Sequence, residues 1–221
     1  MQATLNFLRD LSANNNREWF NSNKDRYIAC HEHFLAFSEK YIDMLSSVDP
    51  SIQGLMPKDC IWRIYRDTRF SNDKRPYKEW FGVFPAAEGG RRSPHAGYYL
   101  HIQPGHCMFA GGIWCPDNNL LRQLRNEILA NDDEIAEIMQ MPQWKKYFGD
   151  FDSEYMLKRL PLEFANREMS NQVAEWIKRK AYTFSTPLSD AQICSPDIMN
   201  DLKEIAQTAY PMIRFLNYVF E

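Results

Sequence analysis

Residues 97–114, GYYLHIQPGHCMFAGGIW, decide the fold. Two runs rich in aromatic and β-branched side chains, 97–103 and 107–114, flank Gln103-Pro104-Gly105-His106. Such runs suit a pleated, half-buried surface, and a Pro-Gly turn folds one back on the other. Together they predict an antiparallel hairpin. Toward the N-terminus, CIWRIY (60–65) and EWFGVFP (79–85) have the same character and predict two further strands. The connecting segment EGGRRSPHAG (88–97) is polar and rich in turn residues, which predicts a mobile loop. Gly111-Gly112 falls inside the last predicted strand. Glycine weakens a strand, so the pair marks either a bulge that curves the sheet or a backbone that another group approaches closely. With Tyr98, Tyr99 and Trp114 it offers the floor of a pocket, where aromatic faces can stack on a base or sugar.

Helical periodicity lies on both sides of these strands. Thr4 is placed to cap a short helix through Leu11, and Asn14 to Asn16 can start another. From Asp25 to Val48, Tyr27, Ile28, Phe34, Leu35, Tyr41, Ile42, Leu45 and Val48 recur at intervals of three and four, with His31 and Ser38 on the same stripe. Asp49-Pro50 ends that helix, because the residue before proline is pushed out of the helical region. After Asp117, a helix carries Leu120, Leu121, Leu124 and Ile128. A shorter one follows at 132–139, and Met141-Pro142 breaks it. LKRLPLEF (157–164) reads as an edge strand interrupted by its proline, 172–178 as a helix and KAYTFSTPL (180–188) as extended chain. Ser195-Pro196 opens a last helix with Ile198, Leu202, Ile205, Ala209, Ile213, Leu216 and Phe220 on its apolar face. Helices, then adjacent strands, then helices predict a single α+β domain over residues 1–221, its mainly antiparallel sheet packed against several helices on one face.

Composition narrows the function. With 221 residues and 44% hydrophobic content the chain can build a substantial core. Its net charge of −3 argues against a general polyanion binder, so nucleic acid is not the expected partner. The N-terminus does not read as a signal peptide, and no apolar run approaches the ~20 residues that span a bilayer, so the expected location is the cytoplasm with no membrane partner. Five scattered cysteines without a C-x-x-C pair suit reduced thiols. His31 and His33 cannot share a helix face. If the hairpin loop is Pro104-Gly105 alone, His101 and His106 share a sheet face, but no third ligand completes a metal set. Neither a metal nor a cofactor is expected. The chain holds no G-x-S-x-G elbow, no P-loop and no G-x-G-x-x-G.

One window breaks the charge balance. Residues 63–81, RIYRDTRFSNDKRPYKEWF, hold six cations (Arg63, Arg66, Arg69, Lys74, Arg75, Lys78) and three acids (Asp67, Asp73, Glu79). Phe70 can anchor the loop, and Asp73 to Tyr77 carry turn chemistry. Arg63, Arg66, Asp67, Arg69, Phe70, Asp73, Lys74 and Tyr77 form the pattern R-x-x-R-D-x-R-F-x-x-D-K-x-x-Y. At these residues the chain resembles the DUF2461 family of uncharacterised bacterial proteins. The resemblance extends to FLRDLSANNNREWF, GYYLHIQPG, FAGGIW, LKRLP and the closing SPDIMNDLKEIAQTAYPMIRFLN. It implies one α+β fold and no particular reaction.

Two functional readings follow from the window. In the first, Arg63, Arg66, Arg69 and Lys74 bind a small phosphate- or carboxylate-bearing ligand, Asp67 and Asp73 set their geometry, and Tyr77 lines the site or donates to the ligand. In the second, the chain is a protein-interaction or scaffold module whose arginines form a structural ion network. Asp67 paired with Tyr77 or His101 gives an acid–base arrangement, but arginines beside a carboxylate lower its basicity, so an orienting role suits Asp67 better.

Overall fold

Leu5, Leu8 and Leu11 recur every third residue and are fully buried on helix α1 (Gln2–Ala13). Thr4 lies inside that helix rather than at its cap, because the helix begins at the second residue. Asn16 accepts a hydrogen bond from the Trp19 amide and starts α2 (Arg17–Ser22), as its side chain predicts. The long stripe becomes α3 (Lys24–Ser46), with Phe34, Phe37, Tyr41, Ile42 and Leu45 buried. Ser38 falls on the stripe and satisfies its hydroxyl on the Phe34 carbonyl at 2.7 Å. Pro57 occupies the first turn of α4 (Pro57–Cys60). The computed structural model describes residues 1–69 and 71–221, so the expected anchor Phe70 lies outside the described residues.

Residues 60–65 do not form the predicted strand. Cys60 completes α4, and only Ile61 and Tyr65 make isolated bridges, to Val83 and Tyr77. Arg66 N–H donates to Pro76 O and Lys78 N–H to Ile64 O, so the chain folds back on itself after the first bridge. Ile61 and Ile64 are therefore both buried, at a spacing of three. The strands that do form here are β1 (Phe81–Val83), β2 (Gly97–Ile102) and β3 (Cys107–Ile113). The turn between β2 and β3 closes with His106 N–H donating to Gln103 O at 2.9 Å and Gly105 at φ +74°, the left-handed region glycine enters freely. The segment expected to be mobile is instead fastened. Residues 90–92 form a 3₁₀ turn, and Gly90 sits so close to α4 that a Cβ there would lie 2.8 Å from Cys60 Sγ.

The C-terminal half contains α5 (Asn118–Ala130), α6 (Asp132–Gln140), α7 (Pro142–Tyr147), α8 (Asn171–Ile177), β4 (Tyr182–Leu188), α9 (Asp190–Cys194) and α10 (Ile198–Asn217). Asp117 caps α5 by accepting from the Asn119 and Leu120 amides. Pro142 both ends α6 and occupies the first turn of α7, a position where its missing N–H costs nothing. Residues 157–164 hold no strand. Only Met156 bridges to Arg179, and a 3₁₀ turn follows Pro161. Helix α9 is absent from the periodicity but explained by Ser189 and Gln192, which form a reciprocal capping box.

The sheet has the order β1-β2-β3-β4 and is antiparallel, so the protein is α+β. The chain gathers into two compact units, and it passes from one to the other after residue 93 and along β2, β3, β4 and α10. The first unit comprises residues 1–93, 99–109 and 187–204, and the second 94–98, 110–186 and 205–221. In the second, the glycine pair resolves as close approach. A Cβ on Gly111 would lie 2.6 Å from the Phe184 ring, and one on Gly112, at φ +110°, only 1.9 Å from the Tyr182 carbonyl oxygen. Tyr98 is fully buried and Trp114 is 68% exposed, while Tyr99 belongs to a different aromatic group described below. Among the described residues no helix is long and apolar enough to cross a membrane.

Candidate functional site

In the first unit β1 pairs with β2 in the register Phe81 with Ile102, Gly82 with His101 and Val83 with Leu100. Alternation then separates two faces. Phe81, Val83, Leu100 and Ile102 are all buried, and Phe34 of α3 stacks on Phe81 at 5.1 Å. The opposite face carries Trp80, Gly82, Tyr99 and His101, and Trp62 joins them through its amide bond to Gly82 O. Every ring of this row is half-buried. Trp62 meets Tyr99 edge-on at 5.3 Å and Trp80 at 6.1 Å, and Trp80 lies 5.1 Å from His101. Gly82 makes the row possible, since a Cβ would lie 2.9 Å from the Trp80 ring and 3.0 Å from Tyr99.

Tyr99 Oη lies 2.6 Å from His101 Nδ1, and His101 Nε2 lies 2.9 Å from Gln103 Oε1. The amide oxygen only accepts, so Nε2 carries the hydrogen and the Tyr99 hydroxyl donates to Nδ1. Burial lowers the His101 pKa below its ordinary 6.5, against an opposing contribution from Gln103, while burial raises that of Tyr99. Below pH 6.5 the unfolded chain takes up a proton that native His101 resists, so stability should fall as pH drops from 6.5 toward the lowered native value. Urea denaturation of His101→Gln between pH 7.5 and 5 should show a shallower loss than the unaltered chain. An identical slope would place the titration elsewhere.

The basic window occupies the neighbouring surface, and its acids are spent on three arginines. Arg69 makes a two-pronged bond to Asp67, with Nε to Oδ1 at 3.0 Å and Nη2 to Oδ2 at 2.7 Å. Arg66 Nη1 donates to Asp73 Oδ2 at 2.6 Å. Arg75 donates to both Asp73 oxygens and to Glu79 Oε1 at 2.5 Å. The bonds from the Arg69 side chain and backbone hold the Asp67 pKa down to about 2, and those from Arg75 and Arg66 hold Asp73 well below the usual carboxylate range. Both acids are ionised at neutral pH and act as orienting groups. Lys74 donates to Thr68 O at 2.9 Å and Lys78 to Arg63 O at 2.7 Å. Among the described residues, Lys74 and Lys78 bond only to backbone carbonyls, and Arg63 makes no ion pair, though its charge helps to lower the Asp67 pKa. Tyr77 is 4% exposed, stacked on Phe20 at 3.9 Å, and tied to Asn15 through its backbone. Its placement is that of a core residue beneath the window.

Lys78 is the meeting point of network and aromatic row. Its Nζ lies 5.1 Å from the Trp80 ring, and burial, then Arg63, Arg91 and Arg66, lower its pKa. Arg91 was hidden in the segment that reads as a polar loop. It is oriented by bonds to the Lys58 and Asp59 carbonyls, and the adjacent glycine pair Gly89-Gly90 was the available signal for so tight a turn. Beyond the network, a cleft of about 370 Å³ is lined by Leu8, Arg9, Ser12, Glu79, Gln103 and Pro104. Arg9 there is paired with Asp190, and Glu79 with Arg75 and Asn15. Among the described residues no group of three or more His, Cys, Asp or Glu side chains is placed to hold a metal.

Fold and surface together define an α+β protein in which an arginine–carboxylate network borders an aromatic sheet face. The chain belongs to the DUF2461 family, described as a conserved hypothetical protein, whose model matches residues 3–215. No curated protein and no solved structure matches it.

Proposed function

We propose that the chain binds a small phosphate- or carboxylate-bearing ligand at the cationic edge formed by Arg63 and Lys78. The observation that supports this is the distribution of partners in the window. Its three acids are bonded by Arg66, Arg69 and Arg75, which leaves the excess charge on Lys74 and Lys78, bonded only to backbone carbonyls, and on Arg63, which makes no ion pair among the described residues. Lys78 has three N–H donors and gives one to Arg63 O, and the charges that lower its pKa are all positive. An anion placed there gains two cationic partners that make no ion pair with the described residues, and relieves their mutual repulsion. The network of Asp67, Asp73, Arg66, Arg69 and Arg75 is the frame that fixes this edge. Lys74 lies on the frame's exposed side, and Tyr77 supports it from beneath. The five cysteines form no disulfide, which fits a reducing compartment, and we place the chain in the cytoplasm.

Thermal unfolding in the presence of inorganic phosphate tests the reading, because a ligand bound only by the native state raises the melting temperature. Phosphate should raise it for the unaltered chain and not for Arg63→Ala or Lys78→Gln, whose ligand-free melting temperatures should stay close to the original. The rival scaffold reading draws on the closed bonds around Asp73. It would prevail if phosphate left the unaltered chain unmoved while Asp73→Asn lowered its melting temperature.

A further inference from the structure

We infer that the anion is carried on a flat ring, so that the ligand is a nucleoside phosphate, with its base against Trp80, Trp62 and Tyr99 and its phosphate at Lys78 and Arg63. This rests on the anion reading above and adds to it the chemistry of the other half of the ligand. The aromatic row occupies the sheet face opposite the one on which α3 packs through Phe34 and Phe81. Trp62 meets Tyr99 and Trp80 edge to face, at 86° and 70°, and the three rings are only half-buried, so part of their surface is left for a guest.

Walls of this kind take two classes of guest, a cation drawn to the ring faces or a planar group stacked on them. Charge decides between them. Lys78 already sits 5.1 Å from the Trp80 ring, with Arg63, Arg66 and Arg91 adding positive charge around it, so a second cation is repelled from the place where the rings would attract it. His101 closes the row without adding charge. Its neutral ring is held by Tyr99 and Gln103, and burial disfavours its protonation. A neutral ring joined to an anion meets both halves of the site at once, since Lys78 Nζ lies beside the Trp80 ring. A polynucleotide would require the positive surface to continue along a strand, and the net charge of −3 does not provide it.

Calorimetric titration of the full chain with adenosine 5′-monophosphate, ribose 5-phosphate and inorganic phosphate separates the two claims. The nucleotide should bind about tenfold more tightly than ribose 5-phosphate, the discrimination that one stacked base supplies. In Trp80→Leu that ratio should collapse toward one, with ribose 5-phosphate binding retained. In Lys78→Gln all three affinities should fall. Should Trp80→Leu fail to fold, tryptophan fluorescence of the unaltered chain supplies the readout, with quenching by the nucleotide and none by ribose 5-phosphate. Equal affinities for the two sugar phosphates, with Lys78-dependent phosphate binding intact, would overturn the inference and leave the anion reading standing. No binding by any of the three would overturn both. Tighter, steeply salt-dependent binding of a single-stranded oligonucleotide would overturn the inference in favour of nucleic acid.

Discussion

Gly112→Ala is expected to abolish cooperative folding. At φ +110° an L side chain is already strained, and here the added methyl would lie 1.9 Å from the Tyr182 carbonyl oxygen and 3.1 Å from Thr183 Cα. No rotation relieves that clash, because every atom involved is backbone or Cβ. Separating the two backbones would tear apart the packing of Gly111 under Phe184 and Ile213. Close-packed interiors transmit such displacement and do not absorb it. A loss of more than about 4 kcal/mol is the expected scale, enough to exhaust much of the stability of an ordinary domain. Gly105→Ala is the control. That glycine also has a positive φ, +74°, but nothing lies within 4 Å of the added carbon, so the loss should be about 1–2 kcal/mol from backbone strain alone. Urea unfolding monitored by circular dichroism distinguishes them, and a cooperative, near-normal transition for Gly112→Ala would mean that β3 and β4 are not so closely apposed.

The same pair of glycines shows where sequence stops being informative. Their position inside a strand announces a special backbone, but the choice between bulge and close approach depends on what lies alongside, and β4 is some seventy residues away. Local signals carried well elsewhere. The Pro-Gly hairpin, the Asp117 cap and the Asn16 cap depend on interactions within a few residues and are realised, and the stripe of α3 is realised from Phe34 to Leu45, whereas Ile28 is exposed and Val48 lies past the helix end. Residues 60–65 and 157–164 have strand-like composition, yet the first make only isolated bridges and the second none beyond the neighbouring Met156, since strand formation needs a partner in register and composition cannot supply one. Arg125 carries a local signal of burial. It sits beside Leu124 and one turn from Leu121 on the apolar stripe of α5, is 6% exposed, and donates to the Arg179 carbonyl at 3.0 Å.

The candidate site divides along the same line. The density of charge in residues 63–79 was legible, and so was the family it signals. The pairing of Arg66 with Asp73 was not, because it depends on the fold-back that bridges Tyr65 to Tyr77, whereas Arg69 with Asp67 and Arg75 with Asp73 and Glu79 are local. Alternation placed Tyr99 and His101 on one face of β2, but adding Trp80 and Trp62 requires the pairing of Gly82 with His101 and the bond from Trp62 to Gly82, both non-local. The cationic edge therefore emerges only after the acids have been assigned.

Tyr77→Ala is the second substitution expected to be severe. Sequence offers Tyr77 as a lining residue or donor, whereas its ring lies 3.9 Å from Phe20 at 14°, with Tyr65 at 5.6 Å. Truncating a buried aromatic side chain costs about 3–5 kcal/mol through lost contact and the cavity left behind. The effect should reach the surface as well. Asn15 grips the Tyr77 backbone at both ends, donating to its carbonyl and accepting from its amide, and also donates to Glu79, which holds Arg75. Loosening Tyr77 therefore unseats the frame on which Arg63 and Lys78 are held, and any remaining folded protein should respond weakly to phosphate. Tyr77→Phe keeps the ring and should preserve both the melting temperature and the phosphate response. The opposite result for Tyr77→Phe, unchanged stability with the phosphate response lost, would move the phenol out of the supporting core and into direct contact with the ligand.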